Sequence, residues 1–166
     1  MIKYRQAKNT EINDMKSLLW DEGPNEWNYL TQQGIDDEFE LVRHGQAIAV
    51  VAESENKLVG LAVLITGQSS PDYLLKYQKA NEFEFVGDVV VASGFSGQGI
   101  ATTLLELCKE NAQKRGVNHL LIERHEENLA SAGMMKKAGF VEIDKFYDPQ
   151  KREVGSRNSV ILKVAL

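Results

Sequence analysis

The chain is 166 residues long, 43% hydrophobic and 26% charged; that suits one domain, 1–166, with an apolar core, and excludes collagen-like, coiled-coil and disordered chains. Its 19 basic and 24 acidic residues leave a net charge of −5, and the basic ones are scattered, so the basic face that a nucleic-acid binder turns to phosphates is missing. The single cysteine, Cys108, makes neither an intramolecular disulfide nor a zinc cluster, and no apolar run reaches the ~18 residues of a membrane span.

Met1–Arg5 has no apolar stretch of the kind found in secretory leaders, so a cytoplasmic setting is expected. Ile2–Ala7 alternates apolar with polar residues and reads as a strand. Asn9 or Thr10 can cap a helix running to about Trp20, with Ile12, Met15, Leu18 and Leu19 as its apolar positions. Gly23-Pro24-Asn25 breaks it, and further helices are expected over Glu26–Gln33 and Asp36–Arg43. Ala47–Glu53 and Lys57–Ile65 read as an antiparallel hairpin turning at Ser54-Glu55-Asn56. Ser69–Asn81 is a connection, and Phe83–Ala92 is a strand ending in Val89-Val90-Val91.

A glycine-rich turn follows, then a helix from about Gly99 to Arg115 whose apolar side holds Ile100, Leu104, Leu107, Cys108 and Ala112. On that side, next to Leu107, Cys108 reads as a small core residue. His119–Arg124 is a strand, Asn128–Ala138 a helix, and Phe140–Tyr147 and Asn158–Val164 are strands around the polar turn Asp148–Arg157. The order β-α-α-β-β-β-α-β-α-β-β is that of an α/β protein with a mixed sheet.

Strand, glycine-rich turn and amphipathic helix form the layout of an anion site. Glycine lets the backbone approach a ligand, and the unpaired amides of the first helical turn point at it. A nucleoside-triphosphate loop needs lysine and Ser/Thr where Ile100-Ala101 stand, and a dinucleotide fingerprint needs a small apolar residue where Thr102 stands.

Ser96-Gly97-Gln98-Gly99-Ile100-Ala101, led in by Val89-x-Val91, resembles the acyl-coenzyme A motif Q/R-x-x-G-x-G/A of the GNAT superfamily of N-acyltransferases. Ser96 replaces the usual Gln or Arg. The stretch Asn128 to Phe140 is similar to the family's next helix, N-x-x-A/S-x-x-L-Y-x-x-x-G-F, through Asn128, Ser131, Gly139 and Phe140. Met135 stands where the family often has tyrosine.

The resemblance implies a mixed sheet splayed between the strands Phe83–Ala92 and His119–Arg124, flanked by helices, with acetyl-CoA as acyl donor and no metal. Val89 and Val91 would pair with pantetheine, the Val91 amide polarising the thioester carbonyl. The amides of Phe95, Ser96, Gly97, Gln98, Gly99, Ile100 and Ala101 would hold the pyrophosphate, and Asn128 and Ser131 would meet the pantetheine arm. The partner would be a small-molecule or peptide amine, with a homodimer as a further expectation and no nucleic-acid or membrane partner. The leading function is an N-acetyltransferase working by direct attack in a ternary complex; the alternative is a silent acyl-CoA-binding sensor or partner subunit.

A protonated amine cannot attack until a base takes its proton. Asp88 and Glu84 are the leading candidates, with Glu123 and His125 behind them. In a regular strand Glu82, Glu84 and Asp88 share one face; a bulge changes that parity. Tyr147 is the candidate replacement for the tyrosine missing at Met135. Trp20, Asp21, Glu22, Trp27, Tyr29, Tyr73 and Tyr77 are candidates for shaping the acceptor pocket.

Overall fold

The computed structural model describes residues 1–166. Its elements are Lys3–Gln6 (β1), Ile12–Glu22 (α1), Gln32–Arg43 (α2), Ala47–Ser54 (β2), Lys57–Thr66 (β3), Phe83–Val91 (β4), Ile100–Lys114 (α3), His119–His125 (β5), Leu129–Lys137 (α4), Val141–Tyr147 (β6) and Asn158–Ala165 (β7). The seven strands form one sheet in the order β1-β2-β3-β4-β5-β7-β6. Every neighbouring pair is antiparallel except β4 and β5, which run parallel. The α/β class, the element order and the mixed sheet are those expected from the sequence.

One helix is absent. Over Glu26–Gln33 the chain makes an irregular excursion, and α2 starts only at Gln32, capped by the Thr31 side chain, which accepts from the Gly34 amide. Asparagine chemistry explains it. Asn25 Oδ1 accepts from the Trp27 amide at 2.8 Å, and Asn28 Nδ2 donates to the Gly23 carbonyl at 3.0 Å. Such local bonds compete with the helical ladder.

The sheet carries an apolar layer on each face. Ile12, Met15, Leu19, Ile35 and Phe39 of α1 and α2 cover one face. Ile100, Leu104, Leu105 and Cys108 of α3, with Met135 of α4, cover the other. Strands buried on both faces read as continuous apolar runs, which is the pattern of β2 and β3. Cys108 is fully buried, and burial pushes its thiol up to about 12.

Two features of β4 position the site. First, its register against β3 shifts: Val63 faces Asp88, but Leu64 faces Val86, so Gly87 is the extra residue of a bulge. The bulge inverts the alternation. Before it, Phe83 and Phe85 join the α1–α2 layer and Val86 the α3 layer; after it, Val90 joins the first, and Val89 and Val91 pack against the second. Second, β4 pairs with β5 only from Phe83↔His119 to Val86↔Ile122. Beyond the bulge the two strands part, since a bulge bends and over-twists the strand that carries it.

Candidate active site

The turn between β4 and α3 is built to leave donors free. Gly97 and Gly99 have φ of +79° and +78°, and a Cβ on either would meet no atom within 4 Å. Their glycines therefore serve a left-handed backbone and open space above it, not internal packing. The first backbone bond of α3 runs from the Thr103 amide to the Gly99 carbonyl, 3.0 Å, and no backbone carbonyl accepts from the amides of Ser96 to Thr102. Ser96 and Gln98 are exposed, and the Ile100 side chain is buried, so Ile100 offers only its backbone; Phe95, expected to offer its amide to the pyrophosphate, packs on the core and its amide is taken by the Ala92 carbonyl at 3.1 Å, while that of Thr102 is free instead. The free amides, at the positive end of a helix from Ile100 to Lys114, suit a phosphate.

The gap between β4 and β5 is a cleft of about 320 Å³. The Ala92 amide bonds the Val59 carbonyl at 2.8 Å, so it points toward β3. Backbone direction alternates along a strand, which aims the Val89 and Val91 amides into the gap. Asn128, Ser131, Met134 and Met135 of the α4 end line the same cleft. Asn128 also caps α4, its Oδ1 accepting from the Ser131 amide at 3.2 Å.

Glu22, Trp27 and Asn28 from the α1–α2 segment, and Lys151 and Arg152 from the segment between β6 and β7, also line the cleft. The two segments meet: the Trp27 ring lies 4.8 Å from that of His125, and His125 Nε2 donates to the Val154 carbonyl at 2.8 Å. His125 Nδ1 accepts from the Glu127 amide at 3.0 Å. With both nitrogens committed, His125 is a brace rather than a base. Trp20, Asp21, Tyr29, Tyr73 and Tyr77 do not line the cleft.

The carboxylates separate by their partners. Glu84 is 3% exposed, turned toward α3, and gripped by Arg115 through two hydrogen bonds, one of them from Nε at 2.8 Å. It does not line the cleft. Glu123 does, but it accepts from Arg152 Nη2 at 2.8 Å and from the Tyr73 hydroxyl, and pairs with Lys151 Nζ at 2.5 Å. Asp88, turned by the bulge to the α1–α2 face, lines the cleft without such a clamp. Burial raises its pKa above the ordinary carboxylate range.

Tyr147 lies 64% exposed on the edge strand β6, and no tyrosine lines the cleft. The position of the expected tyrosine, Met135, is buried against the cleft wall. Sequence reasoning missed Lys151 and Arg152, which sat in a stretch read only as a polar turn. It also missed Arg124 on β5 and, on α2, Glu38. No group of three His, Cys, Asp or Glu side chains is arranged to hold a metal ion.

The profile of the Acetyltransferase (GNAT) family matches residues 12–140. No curated protein sequence matches significantly. Among solved structures, the ribosomal-protein-alanine N-acetyltransferase of Brucella melitensis is 22% identical, each chain being 99% covered, with a TM-score of 0.77. The IAA acetyltransferase of Bacillus cereus is 18% identical over all of both chains, TM-score 0.75. The yncA protein of Salmonella typhimurium, solved with its cofactor acetyl-CoA, is 15% identical over 99% of this chain and 94% of that one, TM-score 0.73. At these identities the likeness establishes the fold. The family profile spans α1 to α4 and so takes in the parted strands and the glycine turn between them: the chain belongs to the GNAT family of acetyltransferases.

Proposed function

We propose that the protein is an N-acetyltransferase that moves an acetyl group from acetyl-CoA to an amine of a small molecule or peptide, in a ternary complex. One observation carries the reading: a lightly partnered carboxylate, Asp88, lines the cleft beside β4, and the turn that follows β4 leaves the amides of Ser96–Thr102 free. The cradle fits the donor, because a Cβ at Gly97 or Gly99 would project into open space rather than into the protein.

Acetyl-CoA, when bound, supplies a thioester carbon for the amine and a thiolate leaving group. The chain's own groups do the rest. The amides of Ser96–Thr102 hold the pyrophosphate, and Asn128 and Ser131 bound the path of the pantetheine arm. The Val91 amide, aimed into the gap, stabilises negative charge growing on the carbonyl oxygen. Asp88 takes the proton from the ammonium form of the acceptor, directly or through one water. A thiol resembling cysteine has a pKa of about 8.5, so it leaves as thiolate without a dedicated acid. That is consistent with Met135 replacing tyrosine.

The continuous sheet supports a single acetyltransferase domain over 1–166. Reliance on acetyl-CoA and a lone, buried cysteine support a cytoplasmic setting. An amine panel with acetyl-CoA, read by thiol release, tests the function. Turnover of at least one amine is expected. CoA at 100 times its dissociation constant should also stabilise the fold by ~2.7 kcal/mol. Stabilisation with no turnover of any amine would favour the silent binding module; no response to CoA would remove both.

A further inference from the structure

The β4 bulge does more than turn Asp88. It makes room for Glu38, which reaches from α2 to the same spot. A Cβ added at Gly87 would lie 2.3 Å from Glu38 Oε1, so only glycine admits this carboxyl. Glu38 Oε2 is buried and no donor faces it. The polar group beside it is the Asp88 carboxyl. Two carboxyls in contact, with no cation between them, cannot both be ionised without a large Coulomb cost.

We propose that Glu38 is a positioning residue, whose carboxyl shares one proton with Asp88 across the bulge and holds Asp88 ionised and oriented toward the acceptor. This rests on the reading of Asp88 as the base. Glu38 is the member that keeps the proton. Its desolvation and the neighbouring Asp88 charge both push its pKa well up. Asp88 is raised by burial, but the bond from Glu38 and the charge of Lys151 draw it back.

The other charged groups around Asp88 are already engaged. On β5, Glu123 is held by Arg152 and Lys151, and His125 by Glu127 and Val154. Arg124 donates to the carbonyls of His125 and Glu126. Glu22, at the end of α1, accepts from the Ser93 amide. Opposite Asp88 on β3 stands uncharged Val63. The pair therefore carries one negative charge, and a substrate ammonium entering the cleft meets a base whose second carboxyl donates rather than repels.

The test has two arms on the full chain. Carbon-13 NMR of the carboxyl resonances across pH needs no acceptor. Asp88 and Glu38 are expected to titrate together, in two steps seen at both resonances, and Glu38→Gln is expected to leave Asp88 a single step. Independent one-step titrations, with Asp88 the same in both proteins, would overturn the proposal.

The second arm is the pH profile of kcat/KM with acetyl-CoA and a short alanyl peptide, or the amine turned over fastest in the panel. Glu38→Leu removes the donor, so the acid limb should move up by a full pH unit, about a tenfold loss on that limb. Glu38→Gln, whose amide still donates, should restore the limb. Gly87→Ala, which drives Glu38 from its place, should behave like Glu38→Leu. An identical limb in all three would overturn the proposal, while circular dichroism reports whether each is folded. Asp88→Asn at full turnover would instead remove the base reading, leaving the paired titration to stand or fall by itself.

Discussion

A Cβ at Gly97 or Gly99 would meet no atom within 4 Å, and the branches of a valine there would crowd the free amides of the turn. The left-handed backbone there costs a branched residue roughly 1–2 kcal/mol, a small part of the stability. Gly97→Val and Gly99→Val are therefore expected to fold and to lose the thermal shift with CoA. Ser96→Arg should enlarge that shift by adding a charge-assisted phosphate contact. Asp88→Asn keeps the shape of the base and removes its basicity, so turnover should fall by ~10²–10⁴ with CoA affinity retained. The glycines were legible because their role is local. The base was legible only as a choice between Glu84 and Asp88, because the face each occupies depends on one bulged residue, Gly87, whose extra length shows only against the partner strand.

At the scale of elements, the Glu84–Arg115 pair ties the start of β4 to the end of α3. The Glu84 side chain is 4% exposed and that of Arg115 is 37% exposed. Losing the cation leaves a buried carboxylate unpaired. Full burial would make that cost roughly 3–5 kcal/mol, and solvent reaching Arg115 brings it nearer 2 kcal/mol. Arg115→Met should show this in urea unfolding, and Glu84→Met with Arg115→Met should recover most of it. Thr31→Ala should cost about 1 kcal/mol through the lost cap of α2. Helix periodicity located α1 and α3 because each presents one apolar side. It failed over Glu26–Gln33, where Asn25 and Asn28 bond the backbone themselves.

Across the whole molecule, pH acts on the carboxyls with both signs, as Glu11 and Glu38 show. Arg5 holds Glu11 down, from 4.5 to about 2. The stability this contributes is present above the ordinary carboxylate range and is lost as pH falls toward 2. Arg5→Gln should thus raise the pH of acid unfolding. Glu38 is shifted upward, so the native state binds more protons than the unfolded chain, and stability declines as pH rises above the ordinary carboxylate range. Glu38→Gln should flatten that decline in melting curves taken at rising pH. The order of strands and helices was readable because hydrophobic period and turn residues act over short spans. The acceptor end was readable only in part: Glu22, Trp27 and Glu123 were candidates and line the cleft, but Glu38 and Lys151 lie far apart in sequence and are gathered only by the fold. Trp27 gives this gathering a practical use. The protein has two tryptophans; Trp20 is 47% exposed and away from the cleft, while Trp27 is half-buried in its wall beside His125. Trp20→Phe would leave one intrinsic fluorophore at the acceptor entrance, and an amine that displaces water from the indole should change its emission before any chemistry occurs. Acceptors could then be ranked by titration with light alone, in the presence of a CoA that carries no acetyl group.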